Sequence, residues 1–172
     1  MKNVWRRLPL VAVLSFTVTP ALAVEFAMYP ASMCERWSSA ESPPELHNSE
    51  ARNPSTAWSL GLDCPIIRPT LSTSYTLNGY ITFTDSHPSA RTPVCSLISW
   101  ARNHGGTTTA LSRPCVQVRR TGHLLDMTAS VPSTAITRRS HVFFSVLLHP
   151  SFTSGLGSRV VNYESAFLAP VH

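Results

Sequence analysis

A short run of alternating side chains, Tyr80-Ile81-Thr82-Phe83-Thr84, constrains this chain more than any other feature. Ile81 and Phe83 fall on one face and Tyr80, Thr82 and Thr84 on the other. That period of two belongs to a strand with one buried face, and β-branched and aromatic residues suit its pleated surface. The run lies inside Cys64–Trp100, which carries two of the four cysteines. Asn78-Gly79 just before it tolerates positive φ and predicts a tight turn. Asp85-Ser86-His87-Pro88-Ser89 then breaks the pattern, since proline cannot donate to a ladder and Asp and Ser favour turns. Val94–Trp100 resumes as a second strand, giving a hairpin-like unit with a long loop.

Further strands follow the same logic. Cys115–Arg119 alternates, with Val116 and Val118 sharing a face. Leu125, Met127, Ala129 and Val131 line one side of a strand that shows Asp126, Thr128 and Ser130 on the other. His141–His149 is apolar on both parities, the signature of a central strand covered on both faces. Arg159–Phe167 closes the series. Six or seven short strands, separated by turn residues and without an amphipathic helix, predict an all-β antiparallel β-sandwich, immunoglobulin-like or jelly-roll.

The first 23 residues read as a signal peptide. Lys2, Arg6 and Arg7 precede the apolar stretch Leu8–Val18, and Ala21-Leu22-Ala23 is a small-residue cleavage site. This largely apolar run of eleven residues is too short for a bilayer, which needs about 20. The expected location is therefore secreted or periplasmic, with no transmembrane segment in the mature chain. The leader takes three of the five net positive charges with it. Residues 24–60, rich in Pro, Ser and Glu, predict an irregular N-terminal arm, and 61–170 the sandwich domain. From Cys64 onward nine arginines face Asp85, Asp126 and Glu164. They form no run, so nucleic acid is not expected as a partner.

Cys34, Cys64, Cys95 and Cys115 make an even set in an exported chain, which predicts disulfides. Of the three pairings, Cys34–Cys64 with Cys95–Cys115 is preferred. The first would pin the arm to the core and the second would cross strands joined at Gly105-Gly106. The other two pairings stay open. There is no C-x-x-C pair and no His at zinc-finger spacing, so no metal or other cofactor is expected.

With the strands in place, Cys64-Pro65-Ile66-Ile67-Arg68, Tyr80–Asp85, Val94-Cys95-Ser96-Leu97 and Ser158–Glu164 resemble the recurrent strands of a loose group of small secreted bacterial β-sandwich proteins of uncharacterised function. The likeness covers about residues 60 to 165. Glu164 directly follows Tyr163, so the end of the last motif fits loosely. The group usually carries a cysteine in its penultimate strand where this chain has Leu147-Leu148-His149-Pro150, and Cys115 would take over that pairing. The resemblance brings no catalytic or binding residue.

Reactive groups are sparse. Asp85-Ser86-His87 offers an acid, a hydroxyl and an imidazole, but adjacent residues of a turn point apart. His141 and His149 are eight residues apart on one strand, roughly 26 Å, and cannot share a metal. Arg119-Arg120 and Arg138-Arg139 suit strand ends, and Gly155-Leu156-Gly157 is too short for a phosphate loop. The expectation is a binding or structural module contacting glycan or protein through loops Ser86–Thr92 and Ser151–Gly157. The alternative is a small hydrolase using Asp85, His87 or Glu164, which requires those groups to converge.

Overall fold

The computed structural model describes residues 24–38, 43–68, 76–85, 93–102, 108–136, 140–150 and 158–168. The leader, both expected contact loops, His87, His104 and Arg138-Arg139 lie outside them. Twelve strands occupy the described residues: β1 (Val24–Pro30), β2 (Glu35–Arg36), β3 (Glu45–His47), β4 (Glu50–Arg52), β5 (Leu60–Ile66), β6 (Thr76–Thr84), β7 (Val94–Arg102), β8 (Thr108–Pro114), β9 (Val116–Thr121), β10 (Leu124–Val131), β11 (Ser140–Leu148) and β12 (Arg159–Leu168). They make an all-β sandwich of two antiparallel sheets. The seven-stranded sheet runs β3-β4-β12-β6-β10-β9, with β1 also paired to β12; the five-stranded sheet runs β2-β5-β11-β7-β8.

Alternation decides what fills the space between the sheets. Leu77, Ile81 and Phe83 of β6, Leu125 and Val131 of β10 and Tyr163 of β12 face Leu62, Leu97, Phe144, Val146 and Leu148 of the other sheet, all buried. Each such side chain contributes about 1.5–3 kcal/mol through burial. Two tyrosines also tie the sheets together. The Tyr163 hydroxyl donates to the Pro65 carbonyl (2.9 Å) and that of Tyr29 to the Ile67 carbonyl (2.9 Å), with the rings stacked at 5.0 Å. Burial pushes the Tyr163 hydroxyl well above the usual phenol range, so it stays a donor.

The bridges are Cys34–Cys64 and Cys95–Cys115, with Cα atoms 4.0 and 5.4 Å apart. The first joins the segment after β1 to β5. The second joins β7 to the residue between β8 and β9, where the chain leaves one sheet for the other. In the chain-entropy account, loops of 30 and 20 residues make each bridge worth roughly 3–4 kcal/mol.

Three expectations give way to different structure. Residues 24–60 are not a loose arm: β1 pairs with β12 from Val24↔Leu168 to Pro30↔Asn162, and β3–β4 is a hairpin on the same strand. The hairpin turns through Asn48 and Ser49, both at positive φ, the geometry of a two-residue turn matched to strand twist. The segment looked coil-like because its inward residues are few and mostly small, with Tyr29, Ala31 and Ala51 buried. Asn78-Gly79 is no turn but the middle of β6. A Cβ on Gly79 would lie 2.4 Å from Cζ of Phe144, so the glycine serves close packing between sheets. Finally, Val116 and Val118 cover no core, because β9 is an edge strand exposed along its whole length.

Candidate functional site

The acid expected to be reactive is instead a structural tie. Asp85 follows β6 and is 1% exposed. Its carboxylate accepts from Arg120 Nη2 and from Ser158 Oγ, both at 3.2 Å. Its amide donates to the His123 carbonyl at 2.7 Å, and His123 Nδ1 lies 3.1 Å from the Asp85 carbonyl. Asp85 thus fastens the end of β6 through its side chain to β9 and the entry of β12, and through its main chain to the β9–β10 turn. Glu164 is elsewhere. It pairs with Tyr80, five residues along β6 from Asp85, or about 17 Å. The described members of the proposed hydrolytic set do not converge.

Glu164 belongs to a different constellation on the outer face of the seven-stranded sheet. Two cross-strand rows run side by side there. One is Glu164–Tyr80–Thr128, the other Asn162–Thr82–Asp126–Arg119. All of these but Thr128 line a depression of about 290 Å³, together with Val118. The second row is bracketed by β-bulges. Val161 is the extra residue of β12 between Val160↔Phe83 and Asn162↔Thr82, and Val118 that of β9 between Arg119↔Asp126 and Gln117↔Met127. A bulge bends its strand and re-aims the following side chains. Here the first bulge keeps Val160 and Tyr163 both inward and turns Asn162 and Glu164 outward onto the depression.

The polar groups in it have few partners inside the protein. Thr82 Oγ1 donates to Asp126 Oδ1 at 2.9 Å. Arg119 Nε donates to Thr121 Oγ1 at 3.3 Å, which draws the guanidinium along β9 away from the Tyr80 row. The ion pairs among the described residues engage Glu45, Asp85 and Glu50, leaving Asp126 and Glu164 unneutralised around the 41% exposed ring of Tyr80. Their Cα atoms are two strand spacings and two residues apart, about 12 Å.

The five-stranded sheet is less suited to hold a small ligand. Its outer face exposes Ile67, Val94 and Trp100 with few converging polar groups. A second depression, about 430 Å³, is lined by Cys34, Glu35, Arg36, Pro43 and Pro44, and offers a single carboxylate. Among the described residues no three His, Cys, Asp or Glu side chains form a metal-binding group, and no helix is long and apolar enough to cross a membrane. Comparison with protein families, curated proteins and solved structures finds no match.

Sequence reasoning identified Glu164 and the polar faces of β6 and β10 but not their meeting. The residues come from three strands separated by some 40 positions each, and which strand lies between which is not written locally. The misaligned parity of Val160, Asn162 and Tyr163 was the one local hint of a bulge.

Proposed function

We propose that this chain is an exported binding module wound as a jelly roll, and that it takes its ligand on the outer face of the seven-stranded sheet. Export is supported by the leader features of residues 1–23 and by two disulfides. The bacterial likeness noted above fits a secreted or periplasmic protein. The jelly-roll reading is supported by the orders β1-β12-β6-β10 and β5-β11-β7-β8, in which the chain changes sheet after β1, β2, β4, β5, β6, β8, β10 and β11. An immunoglobulin-like winding keeps more consecutive strands in one sheet.

The observation that carries the binding reading is the bulge-bracketed depression around Tyr80, Thr82, Asp126, Asn162 and Glu164. It gathers polar groups at the surface; its one hydroxyl–carboxylate contact, Thr82 with Asp126, has no His, Cys or Lys beside it in the lining. The test uses the chain from Val24, wild type and Tyr80→Ala/Glu164→Ala. Both forms are applied to immobilised ligand panels and to chromogenic ester and glycoside substrates. Retention by wild type that the double variant loses, without turnover, supports a binding module. Turnover abolished by Asp126→Asn or Glu164→Gln overturns it in favour of a hydrolase.

A further inference from the structure

We propose that the depression binds a neutral or amine-bearing sugar ring and rejects acidic sugars; this rests on the binding-module reading above. The argument is one of donors and acceptors. Asp126 and Glu164 are acceptors when ionised, each able to take several hydrogen bonds. Among the described residues Thr82 donates to Asp126 and no donor reaches Glu164. Asn162 adds an amide with both donors and an acceptor. The site therefore has acceptors in excess, and a complementary ligand must bring donors: hydroxyls in vicinal pairs, or an ammonium group. A uronate, sulfate or phosphate would instead meet two carboxylates against the single guanidinium of Arg119, which hydrogen-bonds Thr121 and forms no ion pair with either of them among the described residues. Like charges brought together at a partly desolvated surface oppose binding.

Tyr80 selects further. Its ring lies mid-sheet between Glu164 on β12 and Thr128 on β10 and is 41% exposed. The negative face of an aromatic ring attracts the weakly positive C–H groups that line one side of a pyranose, and attracts cations as well. An apolar platform beside unpaired acceptors matches a molecule with one C–H face and a rim of hydroxyls. The scale agrees: about 290 Å³ is at the lower end of small-molecule sites. The overall arginine excess of the domain, read alone, would have favoured anionic glycans. The local balance at this site has the opposite sign.

The experiment applies the chain from Val24 to an array of neutral hexose oligomers, glucosamine oligomers and uronic-acid oligomers, followed by calorimetry on the best binder. Neutral or amino oligomers are expected to be retained and uronic-acid oligomers not. Tyr80→Ala should weaken binding about tenfold, while Tyr80→Phe, which keeps the ring, retains most of it. An unchanged thermal midpoint shows that each variant is folded. Glu164→Gln should reduce the preference for glucosamine over hexose oligomers, a readout that general loss of structure would not give. Preferential retention of uronic-acid oligomers, or no retention of any sugar, overturns the inference. If a peptide library is bound instead, in a Tyr80-dependent way, the sugar inference falls and the site stands. If sugar binding survives Tyr80→Ala/Glu164→Ala, the site itself is wrong.

Discussion

Replacing Gly79 by alanine tests the packing of the sandwich at a close approach between its two sheets. The added Cβ would come within 2.4 Å of Phe144 Cζ, 3.0 Å of its Cε2 and 3.2 Å of Leu97 Cδ2. Phe144 is fully buried and meets Tyr163 edge-on at 6.2 Å, so it has no free direction in which to retreat. Overpacking of this kind costs about 1–3 kcal/mol. An opposing term exists, because glycine within a strand is destabilising by roughly 0.5–1 kcal/mol relative to alanine. The clash is the larger, and the net loss is expected near 1–2 kcal/mol. For a domain of this length that lowers the thermal midpoint by about 2–8 °C. The assay is thermal and urea unfolding of wild type, Gly79→Ala, Phe144→Leu and the double variant. Phe144→Leu alone loses apolar volume and destabilises, but it also vacates the space the new methyl needs. The double variant should therefore be more stable than the two single losses combined would give, a coupling of about 0.5–1 kcal/mol or more. A neutral or stabilising Gly79→Ala, or strictly additive losses, refutes the close-approach account and returns the glycine to an ordinary strand position.

The remaining predictions concern the ties around that core. Asp85→Asn removes the charge facing Arg120 while keeping its shape; as Arg120 is 37% exposed, the loss is expected near 2 kcal/mol rather than the full cost of a buried pair. It should be visible in urea midpoints, with sugar binding unaltered. Cys95→Ala/Cys115→Ala frees the junction of β8 and β9 and should cost roughly 3 kcal/mol, read as a lower thermal midpoint than that of the oxidised wild type. Asp63 gives the pH dependence. Burial raises its carboxyl above the usual range and Glu35 adds to this, against hydrogen bonds from Ser145 and Trp37. Its Oδ1 is buried with no hydrogen-bond partner among the described residues. The folded state thus holds this proton more tightly than the unfolded chain. Stability is greatest in acid and is lost as pH rises from the ordinary aspartate range through the raised value. Asp63→Asn should remove that loss, gaining on the order of 0.5 kcal/mol at neutral pH after allowance for solvent screening and little in acid. Equal gains at both pH values would contradict it.

Strands with one buried face were legible because burial writes itself into every second residue. Ile81 and Phe83, like Leu125 to Val131, needed only a partner sheet of apolar residues, and any such partner would produce the same pattern. β1, β3 and β4 were not legible, because their extended form is imposed by the free edge of β12 rather than by their own composition. Gly79 was misread for a related reason. Asn-Gly signals a turn locally, and what overrides it is an aromatic ring 65 residues away in sequence.

The same division explains why the candidate site was harder to read than the scaffold. An alternating strand must place its polar residues outward somewhere, so Tyr80, Thr82 and Asp126 carry no information until their neighbours are known. The bulges at Val161 and Val118 supply it. The bulge at Val161 keeps Val160 and Tyr163 both in the core while Asn162 and Glu164 turn outward toward Tyr80, and the bulge at Val118 lies on the exposed edge strand beside the Asp126–Arg119 pair. The first interruption thus serves the core and the outer face together, which is why strict alternation along β12 does not reveal it. Arg120, the residue after Arg119, neutralises Asp85, and among the described residues no ion pair engages Asp126 or Glu164. On the proposed reading, the excess of one carboxylate over the Arg119 guanidinium is what a ligand that donates hydrogen bonds would complete.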